Sequence, residues 1–205
     1  MVLQLYDYAL SGNCYKVRLL LSFLKLPYQT IPINLNSREN QQATFLRVNP
    51  FGQVPVLVDE GLILRDSLAI MVYLVKQYAN PDQEFWLPDE PSVIAKMLSW
   101  ASVANHELQN TLAQLRRHYL FGQKADVVAL ESQAYKVLAI IEQHLENSPW
   151  LVGHYPTIAD IACFPYIGLA PDARISLEKY RHLRRWLRDF QSLDGYVNMS
   201  GMPTY

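Results

Sequence analysis

Cysteine is scarce in this chain of 205 residues, which contains only Cys14 and Cys163. Two thiols are too few to hold a metal cluster without other ligands. Secreted domains that depend on disulfides are rich in cysteine, so the low number is typical of a protein from a reducing compartment. We therefore expect no disulfide between Cys14 and Cys163.

The chain also lacks an excess of charge of either sign, a long apolar run and a metal-binding histidine pattern. Its net charge is -1 and its pI is near 6.5, which argues against nucleic acid as a partner. No apolar run approaches about 18 uninterrupted residues, and no basic-then-apolar leader begins the chain. The five histidines show no ligand spacing, so no metal site is expected. These absences predict a soluble, cytoplasmic protein without a membrane partner.

What the sequence does contain begins with a strand-to-helix turn at Ser11–Cys14. Residues 2–6 alternate as in a strand, and helical spacing follows at Val17, Leu20, Leu21 and Leu24. The free N–H groups and the dipole of a helix start favour an anionic sulfur or carboxylate. Ser-x-x-Cys resembles the Cys-x-x-Cys of thioredoxins with its first cysteine replaced by serine. The Ser11 hydroxyl could therefore donate a hydrogen bond to the thiolate of another molecule, although Ser-Gly-Asn is also ordinary turn and cap chemistry.

A second motif is the Val54-Pro55 dipeptide at the start of a β-branched strand. Proline cannot donate to a strand ladder, and a Val-Pro bond is a candidate for the cis form. The backbone of Val54 could then pair with an extended peptide by strand addition. An ordinary edge proline is the alternative interpretation.

A third motif, Asp66-Ser67, lies between a short strand and a helix with the apolar stripe Leu68, Met71, Val72 and Val75. At a helix N-terminus, Ser67 and free N–H groups can bind a carboxylate, while Asp66 can accept from an ammonium group. The same residues also form a good N-cap pair.

Taken together, the three motifs resemble the N-terminal domain of the glutathione transferase superfamily. The segment 49–57 is similar to the phi and related plant-type and bacterial classes, in which serine or threonine activates the thiol. The second half carries the family's segments Trp86-Leu87-Pro88 and Trp150–Gly153, followed by Thr157–Asp160. Independently of the family, Thr157 and Asp160 can form a reciprocal capping box, which is a folding element.

The expected architecture is an α/β thioredoxin-like N-terminal domain followed by an all-α C-terminal domain. We predict the first domain over 1–78, a proline-punctuated linker over 79–90 and the helical domain over 91–205. Within the first domain we expect a helix over about 40–48. The tail 195–205 lacks periodicity and is expected to lie over the surface near the active-site cleft. Two C-terminal helices are predicted from apolar stripes at Val127, Leu130, Ala134, Val137, Leu138, Ile141 and Leu145, and at Tyr180, Leu183, Trp186, Leu187 and Phe190.

The resemblance implies detoxification-type chemistry, in which bound glutathione attacks a small, electrophilic, mostly apolar substrate. Ser11 would be catalytic, with help from Asn13. Glutathione, the co-substrate, would be held by Gln53, Val54, Pro55, Asp66 and Ser67, and Gln41 would meet its glycyl carboxylate. Trp100, Tyr119 and Phe121 could shape the second pocket, although most of these aromatic residues are expected to belong to the core. A homodimer is expected from the resemblance alone.

Three points stay open in this interpretation. Cys14 could instead form mixed disulfides with glutathione, which would make the protein a thiol transferase or disulfide reductase. Some members of the superfamily are non-catalytic binding or regulatory proteins, although this chain retains both the turn hydroxyl and the acidic-Ser pair. Lys16 stands where arginine is common, which should matter little if its side chain faces solvent.

Overall fold

The computed structural model describes residues 2–205 and begins with a four-stranded sheet in the order β2-β1-β3-β4. β1 and β2 are parallel, and the other two pairs are antiparallel. In this register, Leu5 on β1 lies between Thr30 and Leu57. The strands are β1 (Leu3–Asp7), β2 (Tyr28–Pro32), β3 (Val56–Asp59) and β4 (Leu62–Arg65).

Three helices accompany the sheet: α1 (Gly12–Phe23), α2 (Ala43–Leu46) and α3 (Ser67–Tyr78). The apolar stripe predicted for α1 is buried, and α1 packs against α3. The helix expected over about 40–48 is wrong in extent, because a 3-10 turn at Glu39–Gln41 precedes the four-residue α2. Phe45 is the one buried residue of α2, so this segment has no apolar stripe that could stabilise a longer helix.

Five helices form the second part of the chain: α4 (Pro91–Val103), α5 (Leu112–Phe121), α6 (Val127–Glu146), α7 (Ile158–Gly168) and α8 (Arg181–Gln191). A π-helical turn at Ala104–Leu108 lies between α4 and α5, and 3-10 turns occur at Pro81–Trp86 and Ala170–Ala173. All residues of α7 are buried, and it contacts α1, α3, α4 and α5. The α/β plus all-α architecture is thus confirmed, while the domain boundaries stay a prediction. Among residues 2–205, no helix is long and apolar enough to cross a membrane.

The start of α7 is held by the predicted capping box. The Asp160 carboxylate accepts from the Thr157 N–H at 2.9 Å, and the Thr157 hydroxyl caps the helix. Asp160 also accepts from the Leu151 N–H and the Trp186 indole N–H, each at 2.9 Å. A carboxylate that is 0% exposed is tolerated because these donors replace its water.

The tail 195–205 is partly exposed at the surface, as expected, but it does not lie near the cleft. The Tyr15 hydroxyl donates to the carbonyl of Val197 at 2.7 Å, and the side chains of Met199 and Met202 are buried. No residue of the tail lines the cavity described below. The tail therefore completes the core beside α1 and does not cover the cleft.

Candidate functional site

A cavity of about 540 Å³ lies between the sheet-bearing part and the helical part of the chain, and residues of both parts line it. Its N-terminal wall combines the β1–α1 turn, the loop before β3 and the start of α3. Its C-terminal wall comes from the π-helical turn, α5, the segment after α5, and α7. The lining residues are Tyr8, Leu10, Ser11, Gly12, Asn13, Leu35, Asn36, Asn40, Gly52, Gln53, Val54, Asp66, Asn105, Gln109, Ala113, Arg116, Arg117, Phe121, Gln123 and Tyr166.

Ser11 is the N-cap of α1, and its Oγ accepts from the Cys14 N–H at 3.3 Å. The approach to this turn is fixed by Arg18, which pairs with Asp7 at 2.5 Å and donates to the carbonyl of Ala9 at 2.9 Å. Because its oxygen is the acceptor in the cap, the Ser11 hydroxyl proton is free to point into the cavity.

Asn13 lies in the first turn of the same helix and lines the cavity. Its Oδ1 is buried and has no hydrogen-bond partner among residues 2–205. Ser11 and Asn13 thus place polar side chains at a helix start, where backbone N–H groups also lack partners.

Cys14 points away from the cavity into a small apolar cluster with Ile33, Phe45, Val54 and Val56. It is 0% exposed, and burial, with the Asp7 charge adding to it, raises the pKa of its thiol to about 12. A neutral, inaccessible thiol is a poor nucleophile. This environment disfavours the alternative in which Cys14 attacks a disulfide. Both cysteines are free and buried, in agreement with the absence of a Cys14–Cys163 disulfide.

The Val54-Pro55 bond is cis, as the sequence suggested. Val54 and Gln53 line the cavity, whereas Pro55 is buried and does not. The Asn49 amide holds this loop by donating to the carbonyl of Gln53 at 2.7 Å.

The expected contact Gln41 is exposed and lies outside the lining, although its amide lies close to Gly52. The neighbouring Asn40 lines the cavity instead, and its amide donates to the carbonyl of Gly52 at 2.6 Å. Asn40 and Gln41 are adjacent and equally polar, so the sequence alone does not distinguish between them.

Asp66 lines the opposite end of the N-terminal wall and caps α3. Its Oδ1 accepts from the N–H groups of Leu68 and Ala69 at 2.9 and 3.1 Å. The second carboxylate oxygen makes no hydrogen bond among residues 2–205. Ser67 is 4% exposed and does not line the cavity, so only Asp66 of this pair presents its side chain to it.

Lys16 does not face solvent, so the condition under which its replacement of arginine would matter little is not met. Its side chain is 1% exposed, and its Nζ lies 5.5 Å from the ring centre of Tyr166 on α7. Burial lowers the pKa of Lys16 to about 8, while the Asp66 carboxylate acts in the opposite direction. α1 has no polar face here, because α3 and α7 both pack against it.

The C-terminal wall is more polar than a site for an apolar substrate would be. Asn105, Gln109, Arg116 and Arg117 line it together with Phe121. Of the three aromatic candidates, only Phe121 lies in the cavity, with its ring centre 6.5 Å from that of Tyr8. The polar residues were missed because an isolated helix sequence does not show which face meets the cavity.

Two contacts join this wall to the Ser11 turn. Arg116 pairs with Asp172 at 2.9 Å and donates to the carbonyl of Leu10 at 2.7 Å. The Tyr166 ring packs on Gly12 so closely that a Cβ there would lie 2.8 Å from two ring carbons. The residues on both sides of Ser11 are therefore held by the second half of the chain.

Comparisons with known proteins agree with this arrangement. Residues 5–82 match the family model "Glutathione S-transferase, N-terminal domain", and residues 95–194 match "Glutathione S-transferase, C-terminal domain". Glutathione S-transferase 3 of Zea mays is 32% identical over 194 residues, covering 90% of this chain and 86% of that protein. Maleylacetoacetate isomerase of Pseudomonas aeruginosa is 30% identical over 190 residues, covering 89% and 88%. The crystal structure of a glutathione S-transferase from Pseudomonas fluorescens superposes with a TM-score of 0.90 at 30% identity, covering 98% and 100%.

Proposed function

Since this chain belongs to the glutathione S-transferase superfamily, we propose that it is a glutathione transferase that uses Ser11 to activate the thiol of bound glutathione. The carrying observation is the Ser11 hydroxyl at the N-terminus of α1, in one cavity with the cis Val54-Pro55 loop and Asp66. These groups match the thiol, the peptide backbone and the amino group of the tripeptide.

The chemistry assigned to Ser11 is electrostatic. A free thiol with a pKa of about 8.5 is only a few per cent ionised at neutral pH. A hydrogen bond from Ser11, aided by the α1 N-terminus and the Asn13 amide, lowers that pKa by about one to two units. The thiolate then attacks the electrophilic carbon of the second substrate, forming a C–S bond as the leaving group departs with its electron pair.

The remaining groups orient the tripeptide. The Val54 backbone pairs with the cysteinyl residue, and cis-Pro55 fixes the direction of that pairing. The free oxygen of Asp66 accepts from the γ-glutamyl ammonium group, while the backbone N–H of Ser67 at the α3 N-terminus, rather than its side chain, attracts the γ-glutamyl carboxylate. Gln53 holds the glycyl end of the tripeptide. The sequence also suggested Gln41 for this contact, but the adjacent Asn40 is better placed because it lines the cavity.

Homodimerisation also belongs to this proposal. Large apolar side chains are exposed around β4 and on α4, and such patches are typical of protein interfaces. They are Phe51, Leu62, Ile63 and Leu98. Light scattering of the intact chain measures the association state directly.

The proposal is tested by Ser11→Ala and Cys14→Ala in parallel. Ser11→Ala should raise the pKa of bound glutathione by about one to two units and lower kcat/KM near neutral pH by about 10- to 100-fold. Cys14→Ala should retain most of the activity. Thiolate absorbance against pH measures the pKa, and initial rates of conjugation measure kcat/KM.

Ser22→Ala is the matched control, because Ser22 lies at the other end of α1 and donates to the carbonyl of Gly195 at 2.6 Å. The opposite pattern, with Ser11→Ala active and Cys14→Ala inactive, would assign the chemistry to Cys14. Failure of the unmodified chain to bind immobilised glutathione would favour a non-catalytic member of the superfamily.

A further inference from the structure

The C-terminal wall of the cavity presents a polar stripe along one helical face. Asn105 lies in the π-helical turn, and Gln109, Ala113 and Arg117 follow it at intervals of four residues. Residues spaced in this way share one side of a helix, and here that side faces Ser11 across the cavity. The stripe therefore borders the space left for the second substrate.

The two arginines of the C-terminal wall, Arg116 and Arg117, differ in their partners. The Arg116 guanidinium is 5% exposed and is neutralised by Asp172 at 2.9 Å, although its Nη2 makes no hydrogen bond. Arg117 has neither an ion pair nor a side-chain hydrogen bond among residues 2–205. Asp66, the one acidic residue of the lining, belongs to the opposite wall and caps α3. Arg117 is thus an uncompensated cation in a partly enclosed site.

Tyr166 supplies a donor beside this cation. Its side chain is 6% exposed, and its hydroxyl makes no hydrogen bond within the described chain. A Cβ on Gly12 would lie 3.1 Å from this oxygen, so the hydroxyl is adjacent to the Ser11 turn. Burial raises the pKa of Tyr166 to about 12, against the opposing charges of Arg117 and Arg116, so the hydroxyl keeps its proton at neutral pH.

We propose that the second substrate carries a carboxylate, which is bound by Arg117 with the Tyr166 hydroxyl as a second donor. This inference rests on the proposed transferase function and replaces the expected mostly apolar substrate with an anionic electrophile. A guanidinium suits it because charge-assisted hydrogen bonds to a carboxylate are strong and directional. Phe121 and Leu10 then contact the apolar part of the substrate, between the carboxylate and the reacting carbon.

A pair of benzyl chlorides tests the charge directly. In 4-(chloromethyl)benzoate and 4-(chloromethyl)benzamide, the glutathione thiolate attacks the benzylic carbon. A C–S bond forms while the C–Cl bond breaks, and chloride leaves with the bonding electrons. The readout is the ratio of the two kcat/KM values, carboxylate over amide, each divided by its uncatalysed rate constant with glutathione.

We expect this ratio to exceed 1 and to fall about tenfold in Arg117→Gln, mainly through KM, as the loss of one charged hydrogen bond implies. Arg117→Lys should keep the ratio within a few-fold because the charge remains. Arg181→Gln, an exposed arginine on α8, is the matched control and should leave the ratio unchanged. Because the readout is a ratio, a general loss of activity cancels.

Binding of the two products, measured by calorimetry, separates this inference from the proposed function. S-(4-carboxybenzyl)glutathione should bind the intact chain more tightly than its amide counterpart, and Arg117→Gln should abolish the difference even if no turnover occurs. Equal binding of the two conjugates, or a ratio unaffected by Arg117→Gln, would overturn the carboxylate site. If Arg117→Gln weakened only the binding of glutathione disulfide, Arg117 would be assigned to a second tripeptide. That result would overturn the carboxylate site as well.

Discussion

Gly12→Ala tests how closely the two halves of the chain meet beside Ser11. Gly12 is the first residue of α1, where alanine by itself is favoured by about 0.5–1 kcal/mol. The added Cβ would lie 2.8 Å from Cε1 and Cζ of Tyr166, well inside van der Waals contact. That ring is 6% exposed and packs on α1, so it must shift toward the cavity to make room, and overpacking costs about 1–3 kcal/mol. We expect a net loss of about 1–2 kcal/mol in the free energy of unfolding.

The decisive measurement is a double-mutant cycle by urea unfolding. In a Tyr166→Leu background the ring is gone, so Gly12→Ala should become stabilising by about 0.5–1 kcal/mol. The sign of the substitution therefore reverses between the two backgrounds. The same effect in both would refute the contact as the cause, and a stabilising effect in the unmodified chain would refute the predicted overpacking.

Two further substitutions probe buried charged groups. Asp160→Ala leaves the N–H groups of Leu151, Thr157 and Trp186 unpaired, so the free energy of unfolding should fall by at least about 3 kcal/mol; a urea-measured loss below about 1 kcal/mol would contradict this. Lys16→Met removes an ammonium group whose pKa is lowered by burial from 10.5 to about 8 in the folded chain. Because the folded chain binds this proton more weakly than the unfolded chain does, protonated Lys16 disfavours the folded state. The unmodified chain should be the less stable of the two near pH 7, and its deficit should shrink as pH rises from about 8 to about 10; a pH-independent difference would exclude this origin.

The features that could be predicted from the sequence depend on neighbours along the chain. The Ser11 cap, the cis Val54-Pro55 bond and the Thr157–Asp160 box each follow from a few adjacent residues. The prediction of a helix over about 40–48 also rested on neighbouring residues, and it was wrong in extent. The polar residues of this segment are compatible with a helix, but they provide no apolar face that could be buried. Neighbouring residues thus sufficed to predict helix caps and the cis peptide bond, but not the length of a helix that depends on packing.

The features that were missed depend on which surfaces meet. Lys16 lies outside the apolar spacing of α1, and the sequence does not show that α7 covers that side of the helix. Arg117 and Tyr166 come from two helices far from Ser11 in sequence, and only their packing brings them to one cavity. A helix sequence shows that a polar face exists but not what it faces.

In the proposed mechanism, this packing links thiol activation to substrate selection. The carbonyl of Leu10 accepts from Arg116 and Gly12 lies against the Tyr166 ring, so the residues flanking Ser11 are positioned by the wall to which we assign the second substrate. A substitution in that wall is therefore expected to have two effects: it should change the proposed second pocket directly, and it should shift the Ser11 hydroxyl relative to the sulfur of bound glutathione. Since a hydrogen bond weakens steeply with distance and angle, small movements of the wall should alter the thiol pKa as well as specificity. Changes in substrate preference within this scaffold are accordingly expected to carry changes in the pH dependence of the reaction.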